Sequence, residues 1–124
     1  MALDILIIDD EDDIRRIAVL SLSRVGKMEV VDASGGQEGV KKAASERPDV
    51  ILLDVMMPGL DGPATLSALR SNPATAEIPV VFLTAKAMAS EIERLMGLGA
   101  RGVLTKPFDP MSLPKQLMTC LGSP

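Results

Sequence analysis

The chain has 124 residues, 47% of them hydrophobic, and a net charge of −4 from 13 basic and 17 acidic side chains, which is the balance of one globular domain with a real core. The acidic balance argues against a dedicated nucleic-acid or anionic-membrane surface, and two aromatics, Phe82 and Phe108, give no base-stacking platform. Histidine is absent, which removes Ser-His-Asp and Cys-His catalysis, His-ligated zinc and any internal phosphohistidine; the single cysteine, Cys120, allows no disulfide and reads as a small buried hydrophobe.

Short apolar runs alternate with segments of helical spacing. Leu3–Ile8 reads as a first strand, continuously apolar at its centre as in sheets covered on both faces. Ile14, Ile17, Ala18, Leu22 and Val25 then share one helical face, with Arg15, Arg16 and Arg24 largely off it and Gly26 as a left-handed stop. Met28–Ala33 is the second strand, followed by a helix over about Gln37–Glu46 with Val40, Ala43 and Ala44 inward and Pro48 closing it. Val50–Leu53 is the third strand; its helix opens at Pro63, carries Leu66 and Leu69, and ends at Asn72–Pro73. Pro79–Leu83 is the fourth strand, and about Ala87–Leu98 the fourth helix, with Ile92, Leu95 and Met96 inward and Gly99 as its stop. Gly102–Leu104 is the last strand, and a helix capped by Ser112 runs from near Leu113–Pro114 to Leu121.

Five strand–helix alternations with short connections predict an α/β domain across residues 1–124: a five-stranded parallel sheet with helices on both faces. In such sheets ligands sit beyond the carboxyl ends of the strands, where the winding reverses. For the order 2-1-3-4-5, taken by analogy with doubly wound sheets, that point lies between the first and third strands. No apolar stretch approaches the ~20 residues needed to span a bilayer. No basic region precedes a signal-type apolar core, so the chain reads as cytoplasmic.

The polar residues at those strand ends carry the chemistry. Asp9 and Asp10 follow the first strand, Asp54 the third, Thr84 the fourth, and Lys106 the fifth. Two charges ~4 Å apart repel by about 4 kcal/mol at an intermediate dielectric, so three clustered carboxylates call for a counter-charge. Mg²⁺ suits them, because it takes oxygen ligands and typically one or two carboxylates plus phosphate oxygens. Asp54 would be a nucleophile able to form an aspartyl phosphate. Lys106, in a loop, could cancel charge on the phosphoryl oxygens, and the Thr84 hydroxyl could donate to one of them. Taken singly, each has a plainer reading: an aspartate capping a helix, a surface lysine, a strand threonine. Glu11, Asp12 and Asp13 read as helix-start residues acting on the dipole.

Ile5–Glu11 (ILIIDDE), Leu53–Gly62 (LDVMMPGLDG), Leu83–Ala85 (LTA) and Lys106–Phe108 (KPF) together resemble the signature set of two-component response regulator receiver domains, in order and spacing, over essentially the whole chain. The resemblance implies Asp54 as phospho-acceptor, and Asp10, Asp54 and the Met56 backbone carbonyl as Mg²⁺ ligands, with Asp9 acting through a metal-bound water. It implies Thr84 and Lys106 as readers of the phosphoryl group, and a histidine kinase or phosphotransfer protein as donor. It further implies a downstream protein partner on the fourth and fifth helices; from the acidic balance no nucleic-acid or membrane partner is expected, and the chain is expected to be a monomer or weak dimer. Two features depart from the family pattern. Val103 stands where receivers commonly carry an aromatic switch residue. Met56 and Lys86, two residues beyond Asp54 and Thr84 with Ala85 between Thr84 and Lys86, occupy positions that in the family border the path of hydrolytic water, and their bulk predicts a persistent phosphoryl group.

Two other classes compete. A Mg²⁺-dependent phosphohydrolase would place nucleophile and acid/base as D-x-D, whereas Met56 occupies that second position. A phosphorylation-independent interaction module fits Val103 but not the intact acidic set. Gly97, Gly99 and Gly102 spell G-x-G-x-x-G, but they follow a helix and enter a strand, the reverse of a dinucleotide loop. Of eight methionines, Met88, Met96, Met111 and Met118 fall in the last two helical segments, where core filling is the default and an adaptable partner surface the rival.

Overall fold

The computed structural model describes residues 2–122. Strands β1 (Asp4–Ile8), β2 (Glu29–Ala33), β3 (Val50–Asp54), β4 (Val80–Thr84) and β5 (Gly102–Thr105) alternate with helices α1 (Asp12–Leu20), α2 (Gly36–Glu46), α3 (Gly62–Ser71), α4 (Ala89–Gly97) and α5 (Leu113–Cys120). The strands form one parallel sheet in the order β2-β1-β3-β4-β5. The expected order 2-1-3-4-5 therefore holds, and the winding reverses between β1 and β3.

Period-two alternation sorts the strand side chains onto two faces. Leu6, Ile8, Ile51, Leu53 and Phe82 meet Ala43 of α2, Leu66 and Leu69 of α3, and Leu95 of α4. On the other face Ile5, Ile7, Val50, Leu52, Val81 and Leu83 meet Ala18 of α1, Leu22, and Leu113 and Leu117 of α5. The three inner strands are covered on both sides, which is why they read as unbroken apolar runs. Edge strand β2 is half-open and tolerates Glu29 and Asp32.

Several local expectations change. Beyond Leu20 the first helix widens into a π-helical turn, Ser21–Val25, with the Gly26 N–H donating to the Ser21 carbonyl at 3.1 Å. Gly26 is right-handed (φ −81°), and Lys27 takes the left-handed position (φ 57°). Glycine at 26 answers a packing need instead: a Cβ there would stand 2.7 Å from the Leu22 carbonyl oxygen and 2.8 Å from Pro114. Only Ala18 and Leu22 of the first apolar stripe are fully buried; Ile17 and Val25 are exposed, and so is Leu20. Met96 of α4 also faces solvent, as do Met88 and Met111, so core filling does not explain these three methionines. Ser112 stands at the start of α5, but its hydroxyl donates to the Asp109 carbonyl rather than capping the helix. Gly99 is left-handed as expected (φ 101°).

Candidate functional site

Parallel register delivers the polar residues to one edge. Ile8 pairs with Leu53 across β1 and β3, so Asp9 and Asp54 leave adjacent strands side by side. On β4, Leu83 lies opposite Asp54, one residue before Thr84. Thr84 in turn lies opposite Thr105, one residue before Lys106. The Lys106 N–H donates to the Thr84 carbonyl at 2.8 Å, which ties the lysine loop to the end of β4.

Asp9 is 0% exposed and Asp54 4% exposed. Between them sits the Lys106 ammonium, 2.9 Å from Asp9 Oδ2 and 3.2 Å from Asp54 Oδ1, its side chain only 9% exposed. Burial pushes the Asp54 carboxyl up to about 7, helped by the Asp9 charge and by neighbouring Asp10, while Lys106 pulls the other way. Burial works to lower the Lys106 pKa, but Asp9 and Glu11 outweigh it and hold the amine above its ordinary value.

The carboxylates are under-satisfied. Among the described residues, Asp10 Oδ1 and Asp54 Oδ2 are buried with no hydrogen-bond donor, and Asp9 Oδ2 meets only the charge of Lys106. Oxygens of Asp9, Glu11 and Asp54 lie within 4.8 Å of one another, a spacing that can hold a metal ion. Buried, unpartnered carboxylate oxygens form a hard-oxygen donor set that fits a divalent cation such as Mg²⁺.

Among the described residues, no side-chain hydrogen bond or ion pair joins the remaining expected residues to Asp9, Asp54 or the Lys106 ammonium. The Thr84 hydroxyl is buried and accepts from the Lys86 N–H at 3.0 Å. Met56 is 69% exposed, and Ala85 and Lys86 are exposed beyond β4. Val103 is half-buried against the sheet face that holds Phe82. Glu11 is the residue that sequence reasoning placed elsewhere. It stands at the N-cap of α1, yet its side chain makes no capping bond and instead accepts from Lys106 Nζ at 3.0 Å. No helix-start signal could disclose a partner 95 residues away. Arg15, expected off the packed face, is half-buried: it donates to the Asp9 carbonyl at 2.8 Å and to Asp32 at 3.0 Å.

The family comparison agrees with this geometry. The model of the response regulator receiver domain matches residues 5–118. This chain belongs to that family. The alkaline phosphatase synthesis transcriptional regulatory protein PhoP of Bacillus subtilis is 43% identical over 108 residues, covering 86% of this chain and 43% of the relative. The phosphate regulon transcriptional regulatory protein PhoB of Pseudomonas aeruginosa is 37% identical over 119 residues, 94% of this chain and 51% of the relative. The chain thus spans about half the length of the curated relatives it matches. Among solved structures, chemotaxis protein CheY4 of Vibrio cholerae superposes with a TM-score of 0.88 at 32% identity, over 97% of this chain and 99% of that one. The chain is a receiver domain of the two-component signalling type, and among the described residues no helix is long and apolar enough to cross a membrane.

Proposed function

We propose that this receiver accepts a phosphoryl group on Asp54 from a phosphohistidine of a histidine kinase or phosphotransfer protein, and that the resulting aspartyl phosphate changes its affinity for a protein partner. The observation that carries the reading is the setting of Asp54. It is a buried carboxylate at the winding reversal, with an ammonium 3.2 Å from one oxygen and no donor on the other.

In the transfer, an Asp54 carboxylate oxygen attacks phosphorus in line, the phosphorus–nitrogen bond breaks, and the imidazole leaves. Asp10, Asp54 and the Met56 carbonyl would hold Mg²⁺, with Asp9 beside them. When bound, the ion would supply positive charge to the transferring oxygens. Lys106 supplies the protein's own positive charge, already desolvated and aimed. The Thr84 hydroxyl, which accepts from the Lys86 N–H, would donate its own proton to a phosphoryl oxygen, and its shift would move the loop after β4. Output then passes to the face of α4 and α5, where Met88, Met96, Leu98 and Met111 are exposed. Half-buried Val103 leaves that face without an aromatic ring to follow Thr84, so loop movement alone carries the signal. We read the chain as a cytoplasmic switch whose catalysis is confined to forming and losing its own aspartyl phosphate.

The test is intact mass after incubation with acetyl phosphate and Mg²⁺. The wild-type chain is expected to gain one acid-labile phosphoryl group, and Asp54→Ala none. Label retained in Asp54→Ala would refute the assignment, and steady turnover of a phosphate ester would favour a hydrolase.

A further inference from the structure

We propose that Glu11 is a positioning residue: it holds the Lys106 ammonium in the unphosphorylated chain and yields it when a phosphoryl group arrives. The inference rests on Asp54 being the acceptor and goes beyond it, because it concerns what the lysine must let go.

An ammonium has three N–H donors. Here three carboxylates meet it: Asp9 Oδ2 at 2.9 Å, Glu11 Oε1 at 3.0 Å and Asp54 Oδ1 at 3.2 Å. Among the described residues its hydrogen bond goes to Glu11 Oε1, while Asp9 and Asp54 meet it by charge, so a phosphoryl oxygen arriving on Asp54 competes with Glu11 for the ammonium. Asp9 is 0% exposed and pinned, since its Oδ1 accepts from the Glu11 N–H at 2.8 Å. Freeing it would leave a buried charge unpaired, which is costly. Asp54 is the group being modified. The Glu11 side chain is 59% exposed, so water can take over its carboxylate at little cost. Glu11 is therefore the partner that leaves.

Its placement is specific. At the N-cap of α1 the backbone is extended (φ −87°, ψ 109°), the geometry in which a side chain caps a helix, yet no capping bond forms. The carboxylate reaches across the sheet edge instead. Glu11 thus restrains the resting state, competing for the ammonium that the protein itself brings to the transfer.

The test compares wild type, Glu11→Gln and Asp13→Asn, each with acetyl phosphate and Mg²⁺ at low salt. In the reaction an Asp54 oxygen attacks phosphorus, the phosphorus–oxygen bond to the acetyl group breaks, and acetate leaves. Asp13 is an exposed first-turn residue of the same helix, so its variant controls for the loss of one negative charge. Glu11→Gln is expected to label about two- to fivefold faster than Asp13→Asn, the range of a partly exposed ion pair. The gain is confined to the forming step, so loss of label after donor removal changes no more than in Asp13→Asn. Labelling no faster than in Asp13→Asn, or slower with a weaker Mg²⁺ dependence, would overturn the proposal, the latter by making Glu11 a cation ligand. A wild-type chain that takes no label would instead sink the acceptor reading, and this one with it.

Discussion

Burial works to lower the pKa of the Lys106 amine, and Asp9 and Glu11 outweigh that burial. Replacing Lys106 removes the one counter-charge the buried Asp9 and Asp54 have among the described residues. Lys106→Met is expected to lower stability by roughly 3 kcal/mol in chelator, the scale for breaking a buried pair on one side. Mg²⁺ should restore part of the loss by supplying the missing charge. Urea unfolding followed by far-ultraviolet circular dichroism measures both, since the chain lacks Trp and Tyr as fluorescent probes. A second expectation belongs to Met56. Its side chain is 69% exposed, two residues beyond Asp54, and its proposed screening of an aspartyl phosphate from water can be tested. Met56→Ala should shorten the life of the label, read as decay of the phosphorylated mass after donor removal; an unchanged half-life would remove Met56 as a shield.

At the scale of elements, the join of β3 to α3 sets the nucleophile. The Gly62 N–H donates to the Val55 carbonyl at 2.9 Å, and a Cβ on Gly62 would stand 2.6 Å from the Asp54 carbonyl oxygen and 2.7 Å from Val55 Cα. Those neighbours are backbone and cannot swing aside. Gly62→Ala is expected to cost about 1–3 kcal/mol of stability and to slow labelling by displacing the end of β3. The start of α2 offers a pH test. The Ser34 backbone N–H and hydroxyl donate to Glu38 Oε1 at 2.7 and 2.9 Å and, with Lys42, bring its pKa down to about 2. A depressed carboxyl stabilises the fold above its unfolded pKa and loses that contribution as pH falls through its folded value. Glu38→Gln should therefore cost about 0.5 kcal/mol at pH 7, discounted for solvent exposure, and the gap to wild type should close as pH drops from the ordinary carboxylate range toward 2. These elements also show what was legible from the amino acids. Every strand could be placed because the inner ones are covered on both faces, and the residues at their ends converge because parallel register puts carboxyl termini together. Three details depend on tertiary context that periodicity does not carry: the π-helical turn after Leu20, the outward Met96, and Glu11 turned from its helix toward Lys106.

For the whole molecule, the acidic edge is a standing cost that a cation would relieve, so the Mg²⁺ binding proposed above would be coupled to folding. The unfolded chain has no assembled site, and a ligand that binds only the folded form stabilises it by about 2.7 kcal/mol at a hundred times its dissociation constant. For a domain of 124 residues each kcal/mol moves the midpoint of thermal unfolding by about 4 °C. Wild-type protein should therefore melt some 10 °C higher in saturating Mg²⁺ than in chelator. Asp54→Asn removes one of the crowded charges along with one proposed ligand. In chelator it should melt above wild type, because a buried charge with an unpartnered oxygen is gone. It should respond little to Mg²⁺, because the donor set is incomplete. The two melting curves thus exchange order as magnesium is added. A simple loss of packing would lower the variant under both conditions and could not produce that exchange. If wild type melts at the same temperature with and without the ion, the carboxylates at the ends of β1 and β3 are not a magnesium site.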